Sequence, residues 1–205
     1  MKINTKYRIL GIDPGTNVLG YGVIEVFEKK MFLLDIGVLT LGHTPEQAYK
    51  LKLIFERVQS LIDSHGTSEL AIEAPFYGKN AQSMLKLGRA QGVAIAAGMT
   101  KGLHVTEYMP KKIKQSVTGN GNASKEQVAA MLNQIFSCSL EAKFLDATDA
   151  LAAAVCHFYQ SNSPMAGKSS GNSWSSFVKN NPNRTATVGK VEKITQIKVS
   201  PLPTK

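Results

Sequence analysis

Residues 7–41 read YRILGIDPGTNVLGYGVIEVFEKKMFLLDIGVLTL, and the fold class turns on them. Tyr7 to Asp13 is a short apolar run that stops at a Pro14-Gly15 turn. Leu19 to Phe27 alternates and is rich in β-branched and aromatic residues; Met31 to Leu41 does the same after a Glu28-Lys29-Lys30 turn. Strands joined by such short turns pair antiparallel, because a parallel pair needs a crossover of about a dozen residues or more. The chain therefore opens with a three-stranded meander.

Downstream the period changes. Leu51, Ile54, Val58, Leu61 and Ile62 recur at helical spacing within residues 46–64. Leu70 to Ala74 reads as a brief strand, Gln82 to Thr100 as a helix rich in small residues, and His104 to Tyr108 as another strand. Helices follow at Pro110 to Val117 and Ser124 to Phe136. Proline suits a first helical position, and Ser124 with Gln127 has the form of a capping box. Asp146 to Tyr159 is the last element, with Leu151, Val155 and Phe158 on one face. A meander followed by alternating helices and strands describes an α/β fold, a mixed sheet of five strands flanked by helices on both faces.

The 205 residues suffice for one well-cored domain. We place it at residues 1–162. Residues 163–205 are rich in Ser, Asn, Gly, Pro and Lys and carry seven Lys or Arg against one acid, Glu192, a net of 7 − 1 = +6. That composition reads as a flexible basic tail. Trp174 and Phe177 within it are stray aromatics or a small docking motif. The whole chain carries +9, which favours a polyanionic partner such as nucleic acid. Cys138 and Cys156 match neither a zinc spacing nor a disulfide framework and read as reduced thiols. No signal-peptide pattern and no apolar run long enough to span a bilayer is visible, so a cytoplasmic protein without membrane association is expected.

Four acids stand where structural acids are unusual. Asp13 ends the apolar strand Ile9-Leu10-Gly11-Ile12, and Glu73 ends Leu70-Ala71-Ile72. A carboxylate at the end of a buried strand is costly unless it is paired or binds a cation. Asp146 and Asp149 are three apart in a helical pattern and share a face of the first turn. Such hard oxygen ligands suit Mg²⁺ or Mn²⁺, and a pair of ions about 4 Å apart serves phosphodiester hydrolysis. Each acid also has a plainer use: Asp13 can begin a turn, and Asp146 and Asp149 can cap a helix and complement its dipole. Spacing alone leaves both readings open.

The residues around the acids decide between them. Ile9 to Thr16 followed by Gly20-Tyr21-Gly22-Val23-Ile24 closely resembles the opening of the RuvC resolvases. Ile72 to Tyr77 with Asn80, Ser83 and Leu87 to Gly92 looks like that family's second block. The third is matched by Glu107-Tyr108, Pro110, Lys114, Val117 to Gly121, Ala123, Lys125 and Gln127-Val128, and the last by Asp146 to Ala152 with Cys156-His157. Departures are the placing of Arg89 and Gln91, and Thr148 where Ala is commoner. The tail lies outside the resemblance.

The resemblance implies a ribonuclease-H-like fold and an endodeoxyribonuclease, a homodimer that nicks two strands of a four-way junction symmetrically. It also implies RuvA and RuvB as partners, and Mg²⁺ (two ions per site, with Mn²⁺ able to substitute) on Asp13, Glu73, Asp146 and Asp149. It makes Lys114 and Lys125 basic residues of catalysis and DNA binding, and Phe76 an aromatic that stacks near junction bases. From the residues themselves, Lys114 and Lys125 flank a Gly119-Asn120-Gly121 turn whose backbone amides can approach a phosphate. His157 lies on the face of Asp149 but about 12 Å along the helix, too far to be a ligand. Competing readings are an actin-like sugar or acetate kinase, which needs two such lobes where these residues have room for one, a YqgF-type nuclease without junction selectivity, and a DNA- or RNA-binding module that does not cut.

Overall fold

The computed structural model describes residues 6–44, 46–75, 80–138 and 145–162. Phe76 and residues 163–205, with Trp174 and Phe177, lie outside them. In chain order the elements are β1 (Tyr7–Asp13), β2 (Val18–Phe27), β3 (Lys30–Thr40), α1 (Gln47–His65), β4 (Glu69–Glu73), α2 (Ala81–Thr100), β5 (His104–Tyr108), α3 (Pro110–Thr118), α4 (Lys125–Phe136) and α5 (Leu145–Ser161). The strands form one sheet in the order β3-β2-β1-β4-β5. β1, β2 and β3 pair antiparallel, whereas β4 runs parallel to β1 and β5 parallel to β4. The expected meander and mixed sheet are both present, with element bounds moved by a residue or two.

Alternation along the strands builds a core on each face. Leu10, Ile12, Val23, Leu70 and Ile72 pack under α1 and α2. Ile9, Ile24, Val26 and Ala71 pack under α5, with Ile113, Val117, Val128 and Leu132 of α3 and α4 in the same apolar cluster. Helices thus cover both faces, as the sequence led us to expect. Ser124 closes its capping box with Gln127, and Pro110 stands at the start of α3.

One element differs in kind from its sequence reading. The one-sided face expected for the last helix is too narrow: every residue from Ala150 to Phe158 is buried. α3 and α4 pack on the outer side of α5, so it is enclosed between them and the sheet. A helix apolar all round belongs in such a place.

Candidate active site

The carboxylates converge because of where the strands end and how closely α5 lies on them. Asp13 closes β1 and Glu73 closes β4, and these adjacent parallel strands are aligned with Ile12 opposite Ile72. Odd-numbered residues of both strands face α5, as Ile9 and Ala71 show, so Asp13 and Glu73 point to the same side. β2 brings Gly20 opposite Asp13 and Gly22 opposite Gly11. These three glycines form a track on which the helix backbone rests. A methyl group on Gly20 would stand 2.0 Å from the Asp146 carbonyl oxygen, and one on Gly11 2.1 Å from that of Ala150. On Gly22 it would be 2.8 Å from the Leu151 Cα. Only residues without a Cβ admit a helix this close. The sequence reading missed this role, although the alternation Gly20-Tyr21-Gly22 inside a strand was its signal.

With α5 seated, one ligand atom from each of Asp13, Asp146 and Asp149 lies within 4.8 Å of the others. Glu73 is outside that tight trio but within electrostatic reach of it. Its carboxyl is pushed up to about 8, first by burial and then by the charges of Asp13 and Asp149. Asp13 is pushed up to about 7 by burial and by Asp149, with a smaller push from Asp146. Both shifts record too much negative charge in too little water. The acids thus fit a hard cation, which would supply the missing positive charge.

Lys125 partly supplies it. From the first turn of α4 its Nζ reaches Asp149 at 2.5 Å and Asp146 at 3.6 Å. Partial burial works against its charge. The Asp149 hydrogen bond and the charges of Asp149, Asp146 and Asp13 more than offset that and hold its pKa above the ordinary lysine value. Lys114, half-buried on α3, acts on Glu73 electrostatically in the same sense. Both lysines therefore belong to the acidic cluster.

The glycine turn between α3 and α4 is less available than its sequence suggested. Gly119 caps α3 in the left-handed conformation (φ 77°), and its amide bonds to the Gln115 carbonyl. The amide of Asn120 is taken by the Thr118 hydroxyl and that of Asn122 by the Asn120 side chain. Gly121 is needed for space, since a Cβ there would meet the Lys111 side chain at 2.7 Å. Helix capping has absorbed the Gly119 donor that sequence reasoning offered to a phosphate. His157 stays away from the acids, as expected: its ring contacts Glu69 and Tyr108.

A five-stranded mixed sheet led by a meander, crossed by a buried helix and carrying acids at its central strand ends, defines a nuclease of the ribonuclease-H-like class. The model of the family described as crossover junction endodeoxyribonuclease RuvC matches residues 9–157. The enzyme of that name from Christiangramia forsetii is 57% identical over 176 residues, spanning 86% of this chain and 91% of that protein. Among solved structures, Thermus thermophilus RuvC in complex with Holliday junction substrate is 30% identical with a TM-score of 0.68, covering 75% of this chain and 94% of that one. The yeast mitochondrial resolvase Ydc2, 14% identical with a TM-score of 0.57 over 74% of this chain and 78% of that one, shares the fold. The chain belongs to the RuvC family of crossover junction endodeoxyribonucleases.

Proposed function

We propose that the protein resolves Holliday junctions by paired, symmetric nicks, with Asp13, Glu73, Asp146 and Asp149 holding two Mg²⁺ ions at each site. The observation that carries this reading is the convergence of three carboxylates from β1 and α5, with the raised pKa of Glu73 beside them. When bound, the ions supply Lewis acidity for an in-line attack by water on the phosphodiester. The acids orient that charge at the scissile phosphate. Lys125, already ion-paired with Asp149, and Lys114, which acts on Glu73 electrostatically, neutralise non-bridging phosphate oxygens. The P–O3′ bond breaks, leaving a 5′-phosphate and a 3′-hydroxyl. Lys111 and Lys112, exposed on α3, add positive charge for the junction arms, and residues 163–205 carry a further net +6 in their sequence. Phe76, two residues past Ala74, is assigned to base stacking. Among the described residues no helix is long and apolar enough to cross a membrane. We place the activity in the cytoplasm, with RuvA and RuvB as partners.

The test is cleavage of labelled four-way junctions and linear duplexes in Mg²⁺. Junctions are expected to be cut and duplexes of the same sequence left intact; equal cutting of both would leave a nuclease without junction selectivity.

Paired nicks need two sites related by a two-fold axis, and α2 offers a surface for that symmetry. Leu85, Gly88, Gly92, Ala96 and Met99 are exposed along one face, and a Cβ on Gly88 or Gly92 would meet nothing within 4 Å. An apolar stripe with small residues at its centre admits a second helix at close range. We assign it to a second copy of the chain. Gly92→Lys, placing a charge in the stripe, is expected to turn a dimer into a monomer in analytical ultracentrifugation and to uncouple the two nicks. A variant that stays dimeric would remove α2 from the interface.

A further inference from the structure

A glycine track lets α5 approach the sheet but does not set its place along the track. Gly11, Gly20 and Gly22 offer a smooth surface, and the α5 residues over them, Ala147, Ala150, Leu151 and Ala154, make contacts without direction. A helix that slips by one residue moves about 1.5 Å and turns by about 100°, enough to carry Asp149 away from Asp13. Something must fix both position and rotation.

His157 has the geometry to do so. It is buried on the same face as Asp149 and Ala153, two turns further on. Its Nε2 meets Glu69 Oε2 at 2.5 Å and its Nδ1 meets the Tyr108 hydroxyl at 2.8 Å. Glu69 begins β4, the strand that Glu73 ends, and Tyr108 is aligned with Glu73 on β5. Burial pushes the Tyr108 phenol up to about 12, so it keeps its proton, and with a neutral His157 ring it donates to Nδ1. The Nε2–H then donates to the Glu69 carboxylate, and all three groups are satisfied with one tautomer. Two directional bonds from one ring, to two strands, define both a height along the sheet and an angle about the helix axis. Nearby, Cys156 and Gln160 bond to Ser116 on the outer helix α3, and Asn162, just past the end of α5, reaches the Tyr7 hydroxyl on β1.

We propose that His157, held by Glu69 and Tyr108, is a positioning residue for the nuclease site. It sets the register of α5 on the glycine track and hence the place of Asp146 and Asp149 relative to Asp13. The inference rests on the carboxylate reading above and adds a second polar cluster, built from residues outside the carboxylate set. Burial costs such a group dear unless every partner is present, which is also why it specifies one arrangement among several similar ones.

Mn²⁺ binding followed by electron paramagnetic resonance tests this, with cleavage against Mg²⁺ concentration and junction affinity in EDTA alongside. In His157→Phe and Tyr108→Phe the metal midpoint is expected to rise about tenfold or more, since displacements of order 1 Å carry such penalties. Junction affinity without metal should stay within about twofold. His157→Gln keeps a donor where Nε2 stood and is expected to recover most of the loss. Unchanged midpoints in folded Tyr108→Phe and His157→Phe would overturn the proposal, whatever happens to Tm; if His157→Phe does not fold, Tyr108→Phe decides alone. Failure of the wild type to bind Mn²⁺ at all would instead sink the carboxylate reading.

Discussion

Asp13→Asn is expected to lower junction cleavage by at least about a thousandfold and, without divalent cations at pH 8, to make the folded protein more stable. The first half follows from losing a central oxygen ligand, since metal-ion catalysis contributes several kcal/mol to such a reaction. The second half follows from repulsion. The folded protein holds the proton of Asp13 up to about pH 7 and that of Glu73 up to about pH 8, against ordinary values of 3.8 and 4.5. Below about pH 3 both acids are protonated in the folded and unfolded chains alike, and neither costs stability. Between there and pH 8 the unfolded chain ionises first, so metal-free stability falls as pH rises from the ordinary values and levels off above the raised ones. Asparagine at 13 cannot ionise, and it also relieves Glu73. Mg²⁺ should raise the wild-type Tm more at pH 8 than at pH 5.5, and do so weakly in the variant. Scanning calorimetry at the two pH values, with EDTA or Mg²⁺, reads all of this. A metal-free variant less stable than wild type at pH 8 would mean that Asp13 serves the fold through contacts of its own.

Gly20→Ala is expected to disable the enzyme from a position with no functional group. The added Cβ would stand 2.0 Å from the Asp146 carbonyl oxygen, so the start of α5 must lift by more than 1 Å to regain van der Waals contact. Overpacking of this kind costs about 1–3 kcal/mol and lowers Tm by roughly 2–10 °C in a domain of this size. Cleavage should fall further than stability does, by about a hundredfold at temperatures where the variant is fully folded, because the lifted turn carries Asp146 and Asp149. Gly42→Ala is the control. Its Cβ would meet nothing within 4 Å, and neither Tm nor cleavage should change. Equal losses of Tm and cleavage in Gly20→Ala would reduce the glycine to a packing residue.

Much of this was legible in the linear chain because its information is local. The two-residue alternation of residues 19–27 and 31–41, the short turns between strands and the Ser124–Gln127 capping box each specify conformation within a few residues. Asp13 and Glu73 were conspicuous as ionisable groups closing apolar strands. The RuvC resemblance ran from Ile9 to His157, and the family match over residues 9–157 agrees with it.

What the chain order left unstated was distance. Gly11, Gly20 and Gly22 look like weak points in strands until α5, more than a hundred residues away, is laid on them. Glu69, Tyr108 and His157 come from three elements, and nothing in their local sequence pairs them. Lys125 was read beside a phosphate, and only the structure shows its ammonium held against Asp149 and Asp146. The physical reason is common to all three: steric fit, hydrogen bonding and charge neutralisation act over a few ångströms in space. Periodicity and capping act over a few residues along the chain. The sequence by itself determined the strands, the helices and the identity of the acids; only the packing of α5 on the sheet decided that those acids share one site.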